Sequence, residues 1–352
     1  MSGVLAPWQQ RVFDQAVAAL DAGRMGHALL FSGPAGLGKR AVAEALAGYV
    51  LCQAPAAPGQ PCGRCRSCRL VAARSQREPL ETRPDGSPAQ PLGHSAHPDL
   101  LLVGYEWRLK PAPPRMRTEI VIDQIRELSE RLEMSAESGV RVALVEPADA
   151  VNNSAWNAVL KTLEEPLPGR YLWLVASQPA RLPATIRSRC QRLEFRLPPR
   201  EEALAWLQAH GHAAAAASEA LDAARGNPGL AAEWLRDDGL ALRRQVAADL
   251  GALESGRGDP LDVALRWAGD AQAGERLRHA AGHAIDRARD LAGAAGLTDP
   301  ERLHKLAAWF DAANRARELL RSTVRADLVM TDLLLAWRDD ARAQAAGKGE
   351  SR

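Results

Sequence analysis

The chain has 352 residues, 45 lysines and arginines against 43 aspartates and glutamates for a net charge of +2, and five cysteines. That length holds two or three domains and a substantial core, and the near balance of charge excludes a uniformly basic surface made for coating polyanions. No apolar run is long enough to span a bilayer as a helix and no basic-then-apolar leader opens the sequence, so a cytoplasmic location is expected, where clustered cysteines read as metal ligands before disulfides.

Residues 4 to 25 read as an amphipathic helical region with Pro7 and Trp8 near its start, and Trp8 is read as a packing residue. An apolar run, Ala28 to Phe31, leads into Gly33-Pro34-Ala35-Gly36-Leu37-Gly38-Lys39-Arg40, and an Ala-rich helical pattern, Ala41 to Val50, leads out. This strand, loop and helix fit the phosphate-cradling pattern G-x-x-x-x-G-K-[ST] at every fixed position except the last. Gly33, Gly36 and Gly38 let backbone amides approach phosphate oxygens, the helix N-terminus adds partial positive charge, and Lys39 would reach the outer phosphates. Position 40 should offer a hydroxyl to magnesium. Arginine has no atom for that task, so the cradle is predicted to survive without its hydrolytic apparatus, and binding of ATP or ADP is left open.

Cys52, Cys62, Cys65 and Cys68 follow in the pattern C-x9-C-x2-C-x2-C, among Pro, Gly and Arg rather than in an apolar pattern. Four thiolates at this spacing satisfy one tetrahedral zinc, and the short x2 steps let backbone amides turn toward the sulfurs. All four positions come from protein, which makes the expected zinc structural. From Arg74 to Pro98 the composition predicts an exposed insertion, and its His94 and His97 are assigned no ligand role.

Further strands are predicted at Leu100 to Val103, Val142 to Val145, Tyr171 to Ala176 and Gln191 to Phe195. Between them lie helical stripes, one of Ile122, Ile125, Leu128 and Leu132 after Thr118, the other of Trp156, Val159, Leu160 and Leu163 ending at Pro166. With Ala28 to Phe31 this makes five strands alternating with helices, the pattern of a parallel sheet covered on both faces. The strand at Val142 to Val145 ends Glu146-Pro147-Ala148-Asp149, where a P-loop ATPase should end in Asp-Glu for magnesium and water. Pro147 can activate nothing, so a second catalytic position is damaged independently of Arg40. Beyond Pro198 and Pro199 strand signals stop and Ala/Leu/Arg helical patterns take over.

The run Leu160-Lys161-Thr162-Leu163-Glu164-Glu165-Pro166, preceded by Asn157 and followed by Ser188-Arg189-Cys190, resembles the signature of bacterial clamp-loader subunits of the DNA polymerase III holoenzyme. A four-cysteine module directly after the P-loop helix occurs in that family too. The resemblance implies an α/β AAA+ P-loop domain over 1–198, with the zinc module at about 52–70 and the insertion at about 74–98. It also implies a small helical lid over 199–240, an all-α collar or oligomerisation domain over 241–343, and a tail of 344–352 expected to be disordered.

The damaged pocket is similar to that of the family member that hydrolyses nothing itself and acts as a stator, with gamma/tau and delta subunits as partners in a five-subunit ring. That ring loads a sliding clamp onto primed DNA, with no membrane involved. Carried over to this sequence, the Ser-Arg-Cys motif makes Arg189 an arginine finger for a neighbouring gamma/tau ATP site. Active relatives follow a Gly-Ser step in the lid with an arginine that reads phosphates, whereas Gly226-Asn227-Pro228-Gly229-Leu230 has none. Ser177 lies near the first-domain sensor position. The competing reading is an autonomous AAA+ ATPase, a gamma/tau-type motor or another DNA-remodelling enzyme, which Lys39 favours and Arg40 and Pro147 oppose. A zinc-module nucleic-acid binder using Arg64, Arg66 and Arg69 is the third reading.

Overall fold

A computed structural model describes residues 4–75, 94–108, 115–295, 299–320 and 324–350 of the chain. The five predicted strands form one parallel sheet: β1 (Ala28–Ser32), β2 (Leu100–Val103), β3 (Arg141–Val145), β4 (Arg170–Ala176) and β5 (Gln191–Glu194), in the order β2-β3-β4-β1-β5. Parallel neighbours need crossovers, supplied here by helices on both faces. Because side chains alternate along a strand, each strand divides its residues between two layers. Leu30, Leu172 and Leu174 face one layer with Ile125, Leu128, Val159 and Leu163, while Leu29, Phe31, Trp173 and Val175 face the other with Phe13, Val17, Val42 and Leu46.

The first layer is built by α4 (Ile122–Glu133), α5 (Asn153–Glu164) and the short α6 (Ala184–Arg187), and the second by α1 (Pro7–Asp21) and α2 (Lys39–Val50). α4 begins at Ile122, the first residue of the predicted stripe. The buried Gln124 fixes this start: its Oε1 accepts from Val121 N at 3.1 Å and its Nε2 donates to Gly104 O at 2.8 Å. Asn152 caps α5, its Oδ1 accepting from Ala155 N at 3.0 Å, and Pro166 follows the helix closely, as the missing N–H and ring of proline require. Of the predicted insertion, residues 76–93 lie outside the described residues. At its end His97 is buried rather than solvated, because both ring nitrogens find partners: Asp99 N donates to Nδ1 at 3.0 Å, and Nε2 lies 2.9 Å from Ser67 Oγ on α3 (Arg66–Ala72).

The edge of the sheet is fixed by a buried ion pair. Arg141 donates from Nε and Nη2 to Asp99 Oδ1, at 3.2 and 3.0 Å, and also to the carbonyls of Arg131 and Ser135 near the end of α4. Asp99 Oδ2 accepts from Ser138 N and Oγ at 2.9 and 2.8 Å. Burial alone would raise the Asp99 carboxyl, but the bonds from Ser138 and Arg141 outweigh it and hold the group below the ordinary carboxylate range.

The chain separates into two compact units, Met1–Ala232 and Glu233–Arg352, the division falling within α9 (Pro228–Arg236). The first unit also contains α7 (Arg200–Ala209) and α8 (Ala214–Ala223). The second is helical among the described residues: α10 (Gly239–Glu254), α11 (Pro260–Ala268), α12 (Ala273–Ala295), α13 (Pro300–Leu319) and α14 (Ala326–Glu350). Its core includes Leu250, Trp267, Trp309, Leu334 and Trp337. Two of these indoles find acceptors, Trp309 Nε1 donating to the buried Leu333 O at 2.9 Å and Trp267 Nε1 to the half-buried Asp249 Oδ2 at 2.8 Å. α14 continues to Glu350, through small and polar residues after Ala343 for which composition predicts no order; alanine, glutamine and lysine there are strong helix formers. No helix among the described residues is long and apolar enough to cross a membrane.

Replacing Arg141 with Met strands a buried carboxylate, so denaturant unfolding should show a loss of about 3–5 kcal/mol. In the unaltered chain the depressed Asp99 carboxyl contributes stability that is fully present above its unfolded pKa of about 3.9 and is lost as pH falls through its lower folded value. Arg141→Met should flatten that acid limb of the stability profile.

Candidate nucleotide cradle, metal centre and exposed arginine

The glycine loop turns from the C-terminal end of β1 into α2. Gly33, Gly36 and Gly38 have φ of +143°, +82° and +75°, values that disfavour a side chain. Lys39 is buried, and its Nζ donates to Gly33 O at 2.8 Å, Pro34 O at 2.7 Å and Ser177 Oγ at 3.1 Å. Burial pushes this ammonium down to about 8, with Glu146 and Asp149 opposing the shift. Arg40 lies between two carboxylates, its Nε 2.5 Å from Glu44 Oε1 and 3.4 Å from Glu146 Oε2. Burial raises the Glu146 carboxyl, while the Arg40 charge works the other way. In a P-loop ATPase, magnesium joins the loop hydroxyl to the acid of this strand. Here a guanidinium on the loop meets that acid directly. Asp149 ties down the end of β4, accepting from Ser177 N at 3.4 Å and Gln178 N at 3.2 Å.

The chain's own groups bond to the loop, of which Pro34, Ala35 and Gly36 stay exposed. Trp8 Nε1 and Gln9 Nε2 both donate to Leu37 O at 3.2 Å, and Asn227 Nδ2 donates to Ala35 O at 2.8 Å. Gly229 is packed so tightly that a Cβ on it would lie 1.8 Å from Gly36 O, and a Cβ on Gly38 would lie 2.1 Å from Gln9 Nε2. Asn227 Oδ1 accepts from Leu230 N at 3.1 Å, so one side chain both starts α9 and holds the loop. α7 is strapped to α1: Trp8 meets Trp206 edge-on at 5.3 Å, and Arg11 forms a two-pronged bond to Glu202 at 2.8 and 2.9 Å. Trp8 therefore packs. Asn227 and Gln9 were not legible as loop partners; the only sequence signal was the Gly-Asn-Pro-Gly turn, which on its own shows a missing arginine and not what the asparagine touches.

The four cysteine sulfurs lie within 4.8 Å of one another, with Cys62 Sγ and Cys68 Sγ 4.0 Å apart. Four sulfurs about 2.3 Å from a tetrahedral centre would be separated by about 3.8 Å, so the group fits one metal ion. Backbone amides of Cys62, Cys65 and Cys68 donate to the sulfurs of Cys52, Cys62 and Cys65, each at 3.3 Å. Backbone donors at Arg64 and Cys65 lower the Cys62 thiol. Burial opposes ionisation of Cys65, but amides of Cys68 and Gln53 prevail and bring it down to about 6. Burial instead drives Cys68 up to about 12.

Arg189 is separate from both sites. It is flanked by buried Ile186 and Cys190, and burial pushes the Cys190 thiol up to about 11. The Arg189 side chain is 37% exposed, with Nη2 2.6 Å from Glu164 Oε1 and Nη1 2.9 Å from Thr185 O.

A glycine loop at the end of a strand inside a five-stranded parallel sheet, with a four-cysteine module after the loop helix and helices following, defines a P-loop α/β domain of the AAA+ class. The family described as DNA polymerase III, delta subunit, matches residues 8–199. The DNA polymerase III subunit delta' of Pseudomonas aeruginosa is 36% identical over 276 residues, 74% of each chain, and that of Escherichia coli K12 is 31% identical over 349 residues, 94% of each. The gamma/tau subunit of Mycobacterium tuberculosis is 34% identical over 196 residues, 54% of this chain and 28% of that one. The chain belongs to the delta-prime family of DNA polymerase III clamp-loader subunits.

Adding a methyl at Gly229 pushes α9 off the loop, so Gly229→Ala should cost about 1–3 kcal/mol in chemical denaturation. A methyl on Gly251 of α10 would instead meet nothing within 4 Å, and Gly251→Ala should be neutral or stabilising by up to about 1 kcal/mol.

Proposed function

We propose that this chain is the non-hydrolysing, largely rigid stator of the clamp loader, helping to load the sliding clamp onto primed DNA beside gamma/tau and delta subunits. The observation that carries this reading is the state of the glycine loop: Lys39 is engaged by the loop's own carbonyls, while Trp8, Gln9 and Asn227 engage the carbonyls of Leu37 and Ala35. To reach a phosphate, Lys39 would have to leave the carbonyls of Gly33 and Pro34. Arg40 meets the acid that should serve magnesium, and Pro147 offers no base for water. The Trp8–Trp206 and Arg11–Glu202 contacts support the rigid part of the proposal, since they join α7 to the P-loop layer independently of any ligand.

Arg189 serves the site next door. A cation delivered from another subunit stabilises the charge that develops on a transferring phosphoryl group, an effect of about 1000-fold or more at that site. Its exposure and its separation from the chain's own loop support that role. The four cysteines hold one structural zinc, which organises the loop between α2 and α3 where no apolar core does so. Lys39 is the one feature favouring an autonomous motor, and its ammonium is already engaged within the chain.

The purified chain should show no appreciable ATP turnover. Arg189→Ala should leave folding and ring assembly intact while lowering DNA-stimulated hydrolysis by the reconstituted complex; turnover equal to wild type would refute the finger role. Elemental analysis should find about one zinc per chain. Because thiolates must be deprotonated to bind it, zinc affinity should fall as pH falls, read by chelator competition.

A further inference from the structure

The side chain on which the proposed service to a neighbour depends is not loose. Arg189 Nη2 meets Glu164 Oε1 at 2.6 Å and Nη1 meets Thr185 O at 2.9 Å. Glu164 is the last residue of α5, next to buried Leu163, and Arg189 lies between Ile186 and Cys190; these three apolar neighbours belong to one packed layer of the core. Carboxylate and guanidinium are therefore both anchored on the same rigid base.

An arginine that must reach into another subunit's phosphate site loses rotamer freedom when it engages, and that loss opposes the transition state unless it has already been incurred. We propose that Glu164 is a positioning residue for Arg189, fixing the guanidinium in advance with its remaining N–H donors directed at the phosphoryl oxygens of a nucleotide held by the adjacent subunit. The inference rests on the reading of Arg189 as a finger. A planar fork with five donors can donate to one carboxylate oxygen and one carbonyl and still present donors elsewhere. The pair is half exposed, so it adds little to stability. Its effect lies in geometry, and a glutamine, whose amide oxygen accepts the same bond, should largely preserve it.

The test is a double-mutant cycle in the reconstituted complex with clamp and primed DNA, comparing Glu164→Ala, Glu164→Gln, Arg189→Ala and the Glu164→Ala/Arg189→Ala pair. Glu164→Ala should lower kcat about three- to tenfold with little change in KM for ATP, and should add nothing once Arg189 is gone. Glu164→Gln should stay within about twofold of wild type, and the melting temperature of each variant should match wild type. If Arg189→Ala leaves turnover unchanged, the finger reading fails and the positioning role fails with it. If Arg189→Ala lowers turnover but Glu164→Ala leaves it unchanged, raises it, or lowers it equally without Arg189, the positioning role alone is overturned.

Discussion

Backbone carbonyls need donors, and although Pro34, Ala35 and Gly36 are exposed, the glycine-loop carbonyls of Gly33, Pro34, Ala35 and Leu37 find theirs within the same chain. Three positive-φ glycines turn carbonyls and amides into a cradle that in an ATPase receives phosphates. Here Lys39 supplies charge from below, Trp8 and Gln9 supply donors from α1, and Asn227 supplies one from the start of α9. The consequence for the fold is that the loop, α1, α7 and the start of α9 become one bonded assembly.

Much of this was legible in the sequence because it is periodic or composed of special residues. Four of the five strands are short apolar runs bounded by polar residues, whereas β5, Gln-Arg-Leu-Glu, buries only Leu193 and was marked by its place in the alternation of strands and helices. The cysteine spacing announced a metal-sized cluster, and the x2 steps produced the amide-to-sulfur bonds that such spacing allows. What stayed hidden depends on partners far apart in the chain. Nothing near His97 shows that Ser67, 30 residues earlier, will cover its ring, and nothing near Asn227 shows that its amide will reach Ala35 across 192 residues. Composition also misjudged the residues after Ala343, where good helix formers carry α14 onward.

The polar groups of the first unit divide by purpose. Asp99 and Arg141 are buried and hold the sheet edge, where loss of either partner leaves a buried charge without its counter-charge. His97 connects that edge to Ser67, within the stretch between Cys65 and Cys68, so the cysteine module is bonded to the sheet as well as to itself. Arg189 belongs to neither set: it is an exposed residue close in sequence to buried Ile186 and Cys190, and its guanidinium is paired with Glu164 and the Thr185 carbonyl.

The chain keeps a P-loop AAA+ scaffold, and Lys39, the side chain that would meet phosphates, is engaged by the loop's own carbonyls. The most direct measurement is equilibrium titration of the isolated chain with ATP and magnesium, followed by calorimetry. The account predicts no saturable binding up to millimolar nucleotide; a stoichiometric site of micromolar affinity that disappears in Lys39→Ala would contradict it.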